Sequence, residues 1–445
     1  MKLKPIALLL LFVLPPLFCA EEQSQKEKEL DVITYGLDSD IVALLGTLVS
    51  EKRYDYTPEI LALSKDAKTT AVKEAVIRYF TAAQDTGLAD QALSVAADPY
   101  DEPNSTVLLV LKYIGAIKLT AAVPSVRALF DRETNEYFDA ACDALAAIGG
   151  EEDAQFLADF FDRDDLAAPQ RQSLMRALGK LKADSTLDKL SEIADNEDES
   201  ITIRSSAVAA IGDLGHKDSE SLLLRLYNNP NSLFRAAIVG ALANFDTADS
   251  RSLIQQAIRD ENYRVRLAAV EAAKKLKLTD AMPFLLARAK NDPEASIKYA
   301  AYDAIAALGT QEGADFLISI LADSKSSDTA LVRAAAALLS DDTASRSRSA
   351  AIDAITELAR KVVKDDRRKP LRYALGRELA KHGDPGLAEI CRLYLASGDV
   401  STKGTGLDMF ATGKFDSARP DVQAIADDEK AGANRQKARR ILGLE

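Results

Sequence analysis

The sequence predicts an all-α protein built as an α-solenoid, a stack of two-helix repeats. Three observations predict this fold. A basic residue recurs at intervals of 31 to 39 residues between positions 171 and 403. Apolar residues spaced like one face of a helix accompany each of these positions. The 445 residues include no Trp and only 6% aromatic residues, so we expect a core of small and aliphatic side chains, which suits stacked helices better than a β-sandwich.

Residues 1–20 have the pattern of a signal peptide. Lys2 and Lys4 precede an apolar run at positions 6–14, which is too short to span a membrane, since a spanning helix needs about 20 apolar residues. We therefore expect an exported protein of the periplasm or cell envelope. Cleavage after Cys19 and cleavage after Ala20 both remain open, and lipidation of Cys19 is a third route that would attach the protein to a membrane. The polar residues 21–35 predict a spacer.

Residues 36–445 predict one continuous solenoid of about 12 repeats. The second helix of each repeat carries the recurring basic residue, at Arg171, Arg204, Arg235, Arg266, Lys298, Arg333, Arg372 and Lys403. Six positions later an alanine occurs in five repeats, at Ala177, Ala210, Ala241, Ala272 and Ala304. Such a column of small side chains lets neighbouring second helices approach closely.

The first helix of each repeat is an apolar run upstream of the basic residue, and a polar turn joins the two helices. Six residues before the basic position stand Asp165, Asp198, Asn229, Asp260, Asp292, Ser327 and Asp366. These residue types form turns and cap helix N-termini. We expect the basic residue to pair with such an acid in its own or the next repeat, which would orient the repeats. Gly149, Gly215 and Gly309 are predicted left-handed C-caps.

The segment from Asp292 to Gly309, like the segments from Asn229 to Leu242 and from Asp260 to Leu276, resembles HEAT repeats of the short kind found in bilin lyases. The resemblance extends over about residues 60–445 and is clearest at 165–321. It implies a right-handed superhelix whose second helices line a concave surface. Tetratricopeptide repeats fit less well because their aromatic positions are not matched, and armadillo units would be longer.

One unit, at residues 333–371, is longer than the others and predicts an irregular repeat. It contains a basic cluster at 345–348 and a second one at 364–369. We interpret these cations as a solvated helix end favoured by the helix dipole, with an anion-docking patch as the alternative.

No catalytic residue, cofactor site or metal site is predicted. His216 and His382 are isolated, and neither belongs to the paired His-Glu motifs of the di-iron hydroxylases that share HEAT-like repeats. Cys142 and Cys391 lie in apolar helical contexts and are expected to be buried and unpaired. The net charge of −13 disfavours non-specific binding to nucleic acid or anionic lipid.

The predicted function is that of an exported, non-enzymatic scaffold that binds a protein partner through its concave helical face. The positions one and five residues after the basic residue avoid the packing face, and they supply the candidate partner-binding residues Arg176, Glu271, Tyr299, Asp303, Tyr373 and Arg377. Two alternatives remain open. One is an enzyme subunit or lyase-like protein with a site in residues 344–369 or the C-terminal repeats, and the other is an envelope lipoprotein anchored at Cys19 with a structural role.

Overall fold

The computed structural model describes residues 20–67, 69–131, 135–163, 165–340 and 345–444. Within these residues the chain forms 26 α-helices and no β-strand. The helices are α1 (Ala20–Tyr35), α2 (Asp38–Ser50), α3 (Thr57–Asp66), α4 (Thr70–Ala83), α5 (Ala89–Ala97), α6 (Asn104–Ala116), α7 (Val123–Ala128), α8 (Phe138–Ile148), α9 (Glu151–Ala158), α10 (Ala168–Lys180), α11 (Leu187–Asp195), α12 (Ile201–Leu214), α13 (Glu220–Leu226), α14 (Ser232–Leu242), α15 (Ala248–Ala257), α16 (Tyr263–Lys275), α17 (Met282–Asn291), α18 (Ala295–Ala307), α19 (Gln311–Ala322), α20 (Asp328–Leu338), α21 (Ser345–Lys364), α22 (Lys369–Leu379), α23 (Ala388–Leu395), α24 (Val400–Gly413), α25 (Arg419–Asp427) and α26 (Ala433–Leu442).

The helices alternate between two layers. Each even-numbered helix packs against the next even-numbered helix, from α2 to α26, and each is also paired with the odd-numbered helix before it. This arrangement is the predicted α-solenoid, in which the odd-numbered helices are the first helices of the repeats and the even-numbered helices are the second. Each repeat thus buries its apolar side against its neighbours.

The alanine column lies in the second-helix layer and is buried at all five positions, as predicted. A glycine strengthens this close approach: a Cβ at Gly212 on α12 would lie 2.6 Å from the Cβ of Ala241 on α14. The N-terminal core departs from the expected small and aliphatic composition. It contains Phe130 and Phe138, whose ring centroids lie 5.1 Å apart, together with the buried Tyr79 and Tyr113.

The recurring basic residues form the predicted contacts between repeats in the middle of the chain. Arg235 on α14 binds both carboxylate oxygens of Asp260 in the next turn, at 3.0 and 3.2 Å. Arg266 on α16 binds Asp292 in the same way, at 2.8 and 2.9 Å, and both side chains are almost fully buried. Each arginine also donates to backbone carbonyls of its own turn. These bonds connect consecutive repeats at their turns.

Other members of the series make different contacts. Arg171 binds Glu199 of the next turn at 2.6 Å, and Arg372 binds Asp366 of its own turn at 3.1 Å. Arg204 donates to the Ala194 carbonyl at 2.9 Å.

Arg333 does not occupy the basic position of its repeat. The buried residues Leu331, Ala334, Ala335 and Leu338 occupy the places that Arg266, Ala269, Val270 and Ala273 have on α16. The packing face of α20 is therefore shifted by two residues, and Arg333 is exposed. Spacing alone could not detect this shift, because the irregular repeat follows directly.

The long unit owes its length to α21, a first helix of 20 residues. Cations of its basic clusters have partners within the chain. Arg348 binds Asp384 at 2.7 Å and donates to the Leu338 and Ser340 carbonyls, and Arg368 binds Asp328 at 2.6 Å. These contacts give both arginines a structural role.

Two further expectations differ from the structure. The expected polar spacer at residues 21–35 lies in helix α1, where Ile33 is buried and Glu29 accepts hydrogen bonds from Arg53 and Tyr56. Gly215 and Gly309 have the predicted positive φ, but Gly149 is extended. A Cβ there would approach the Leu145 carbonyl oxygen to 2.7 Å, so close contact explains that glycine.

Cys19, and all but the last residue of the predicted signal peptide, lie outside the described residues.

Candidate functional site

The even-numbered helices present one exposed face, which we call the second-helix surface. Glu271 on α16 and Arg377 on α22 are exposed on it, while Tyr299 and Asp303 on α18 are half-buried. Small residues such as Ala209 and Gly240 occupy equivalent exposed positions on α12 and α14. The surface therefore becomes richer in charged and aromatic groups from α16 onward.

A mixed cluster surrounds Tyr299 and Asp303. The Tyr299 ring packs edge-on against Tyr302, with centroids 5.8 Å apart, and the Arg333 guanidinium lies 6.0 Å from the Tyr299 centroid. Burial raises the pKa of Asp303, whereas the nearby cations Lys274 and Arg333 act to lower it. A half-buried carboxylate thus lies between cations of the two neighbouring second helices, α16 and α20.

The buried pair Arg266–Asp292 holds this cluster in place. Arg266 belongs to α16, which carries Glu271 and Lys274, and Asp292 lies in the turn that leads into α18. Asp292 also accepts a hydrogen bond from the Glu294 backbone N–H, which fixes that turn. The two helices that supply the cluster are therefore connected by a bidentate contact, which carries more geometric specificity than a single hydrogen bond.

Tyr373 has a structural contact. It is half-buried on α22, and its hydroxyl donates to Asp399, 2.9 Å from Oδ2. The same carboxylate caps α24 by accepting from the Thr402 backbone N–H at 2.9 Å. The Thr402 contacts, followed by Tyr373 and the nearby Lys369, hold the pKa of Asp399 well below its ordinary value despite some desolvation. The hydroxyl of Tyr373 thus ties α22 to the next repeat.

Arg176 lies apart from the other candidates. It is exposed on α10 and binds Asp143 of α8 at 3.1 Å. Helices α12 and α14 lie between α10 and α16. Since neighbouring helix axes are about 8–10 Å apart, the axes of α10 and α16 are separated by a distance on the order of 25–30 Å. Asp143 also lines a shallow groove of about 470 Å³ between α6 and α8, where Leu108 is 41% exposed. The structure therefore divides the six candidates between separate places.

Within the described part of the chain, each histidine has a carboxylate neighbour and each cysteine is buried. His216 contacts Asp184 at 2.8 Å, and His382 lies 3.8 Å from Glu378. Cys142 and Cys391 are buried and unpaired, as predicted. Among the described residues no three His, Cys, Asp or Glu side chains gather as metal ligands, and no helix there has the length and apolar character to cross a membrane.

Sequence reasoning missed Lys274, Arg333 and Glu378 as members of the cluster around Asp303. Arg333 joins the cluster because the packing face of α20 is shifted, which the spacing of the basic residues did not reveal. The signal for Lys274 was its position three residues after Glu271, which places the two side chains on the same helix face.

Similarity to a known family extends over most of the chain. A family model described as "Spirochaete HEAT repeat protein" matches residues 33–441. A search of curated proteins found no match. Among solved structures, the karyopherin Kap121p aligns over 96% of this chain and 54% of its own, with 11% identity and a TM-score of 0.43. The Escherichia coli protein YibA aligns over 59% of this chain and 96% of its own, with 15% identity and a TM-score of 0.37. The chain thus spans about half the length of Kap121p.

Proposed function

The chain belongs to the family of spirochaete HEAT repeat proteins, and from this premise we propose that it is an exported scaffold without catalytic activity that binds a protein partner. The second-helix surface is the proposed contact face. The signal-peptide pattern of residues 1–20 supports export to the periplasm or envelope. Anchoring through a lipid on Cys19 remains the alternative to a free exported protein.

The observation that carries the proposal is the cluster around Tyr299 and Asp303. Tyrosine and arginine are the side chains that most often dominate protein interfaces, and here Tyr299 lies beside Arg333. The carboxylate of Asp303 and the cation of Lys274 add charges of both signs. We therefore expect a partner that presents both acidic and basic side chains around an apolar contact.

The rigid frame beneath the cluster supports the same function. Because Arg266 and Asp292 link α16 to α18, the groups on these helices need little ordering when a partner binds. Preorganised surfaces lose less conformational entropy on association. A scaffold gains affinity in this way without any catalytic group.

Site-specific photo-crosslinking tests the contact face. A photo-reactive amino acid placed at Glu271 or Arg377 should crosslink one discrete protein in the native envelope. The same amino acid at Lys325, exposed in the turn between α19 and α20, should not. Equal crosslinking from all three positions, or none from Glu271 and Arg377, would refute the assigned face.

A matched pair of charge reversals tests the cluster itself. Arg333→Glu should weaken capture of the crosslinked partner by about tenfold or more, because an interface residue of this type often contributes over 1.4 kcal/mol. Lys325→Glu makes the same charge change in the same repeat and should leave capture unchanged. Circular dichroism of both variants checks that the helices are retained.

A further inference from the structure

A cleft opens in the N-terminal repeats, on the side opposite the second-helix surface. Helices α3 and α5 form its walls, and α4 and α6 form its floor. Its volume is about 390 Å³, within the range of about 300–1,000 Å³ that small-molecule pockets occupy. The apolar side chains that line it are Val76, Ile77, Leu88, Ala92, Val95 and Val110.

Polar contacts cross the rim of the cleft from one repeat to the next. Lys73 Nζ lies 2.6 Å from Glu102 Oε1, so these two charges compensate each other. Gln91 on α5 donates a hydrogen bond of 3.1 Å to Ser64 on α3. Lys65, an exposed residue near the end of α3, is the third charged residue of the lining, and the other lining residues are uncharged.

A buried hydroxyl on the floor lacks a partner. Thr106 on α6 lines the cleft and is 2% exposed, and its Oγ1 has no hydrogen-bond partner among the described residues. By contrast, Tyr113 lies two turns further along α6, and its hydroxyl donates to the Asp85 carbonyl and accepts from the Leu88 N–H. An unpaired buried hydroxyl opposes folding, and a ligand group that hydrogen-bonds to it would offset that cost.

We propose that this cleft binds a small neutral molecule with an apolar body and a hydroxyl or amide group. The apolar body packs against the lining side chains, and the polar group hydrogen-bonds to Thr106 Oγ1. A charged group at that depth would lose its hydration without meeting an opposite charge, because the lining there is uncharged. The site is separate from the proposed protein-binding surface.

Binding of two matched probes tests the proposal. Benzyl alcohol and toluene have similar apolar bodies, but only the alcohol can bond to Thr106. In an NMR titration of the mature protein we expect benzyl alcohol to bind about tenfold more tightly, which is the effect of one well-made hydrogen bond, with shifts concentrated on α4, α5 and α6. Failure of either probe to bind there, or equal affinities, would overturn the proposal.

Three variants complete the test. Thr106→Val keeps the shape of the side chain, so it should remove the preference for the alcohol while raising the Tm, because the unpaired hydroxyl is gone. Val95→Phe should fill the cleft and block both probes. Ala97→Phe adds the same ring at an exposed position of α5 outside the lining and should bind like the wild type. A Thr106→Val protein that retains the preference would contradict the role of the hydroxyl.

Discussion

The central and the N-terminal repeats stack in the same way but join their hairpins with different polar groups. In the centre, Arg266 crosses to the carboxylate of Asp292 in the next repeat. In the N-terminal repeats a tyrosine hydroxyl makes the crossing: Tyr113 donates to the Asp85 carbonyl at 2.7 Å, and Tyr137 donates to Asn104 at 2.7 Å. The central contact is thus an almost fully buried ion pair, whereas the N-terminal repeats combine neutral tyrosine contacts with partly exposed ion pairs such as Lys73 to Glu102.

The difference shows that the geometry of the helical hairpins does not depend on one kind of polar contact. A bidentate arginine pair fixes orientation more strongly, but it leaves a buried charge whenever one partner is lost. A tyrosine hydroxyl costs less to desolvate, but it fixes the orientation of the repeats less strongly. We therefore expect the central repeats to respond more sharply to the loss of a partner and to acid.

Loss of the central carboxylate should have the largest effect. Asp292→Ala would strand Arg266, whose side chain is 6% exposed, together with Arg288, which also contacts this carboxylate. We expect the central repeats to lose about 3–5 kcal/mol of stability, measured by hydrogen exchange of α16 and α18, because a repeat array need not unfold in one step.

A surface pair provides the control for that prediction. Arg225 and Asp195 also join consecutive repeats, at 2.9 Å, but their side chains are 60% and 47% exposed. Asp195→Asn should therefore change stability by only about 0–1 kcal/mol. Similar losses for Asp292→Ala and Asp195→Asn would show that burial does not set the strength of the arginine contacts.

Removal of a tyrosine hydroxyl should have an intermediate effect. Tyr113→Phe keeps the buried ring but leaves the Asp85 carbonyl and the Leu88 N–H without this partner. We expect a loss of about 1–3 kcal/mol, confined to α4 and α6 in hydrogen exchange. A loss as large as that of Asp292→Ala would contradict the distinction between the two regions.

Acid should produce the smallest difference in stability between the two regions. Burial would raise the pKa of Asp292 and Asp260, but hydrogen bonds from Arg266 and Arg235 outweigh it, so both values lie below the ordinary one. As the pH falls below about 3.9, the unfolded chain binds protons that the folded carboxylates resist, and stability decreases toward the folded pKa.

Tyr113 stays neutral throughout that range, since burial raises its pKa to about 12. Hydrogen exchange at pH 3 and pH 6, corrected for intrinsic rates, should thus show α16 and α18 losing more protection than α6. An equal loss of protection in the two regions would refute the assignment of the acid sensitivity to the arginine pairs.

The sequence predicted most of the fold because a repeat displays its pattern many times. The column from Ala177 to Ala304 was recognised from its regular spacing and is buried throughout. The contacts of Arg235 and Arg266 followed from the recurrence of acids in the turns. Less of the candidate surface was predictable: Glu271 and Arg377 are exposed as expected, whereas the hydroxyl of Tyr373 binds Asp399.

By itself the sequence determined the two-helix repeat, its packing face and its arginine pairs, because periodicity along one helix and the residue types in each turn are local properties. The tertiary structure decided the rest. The register of Arg333, the contact of Tyr373 and the unpaired hydroxyl of Thr106 each depend on which side chains the neighbouring repeats bring close. Such distances between repeats are set by the packing of whole helices, and no spacing within one repeat encodes them.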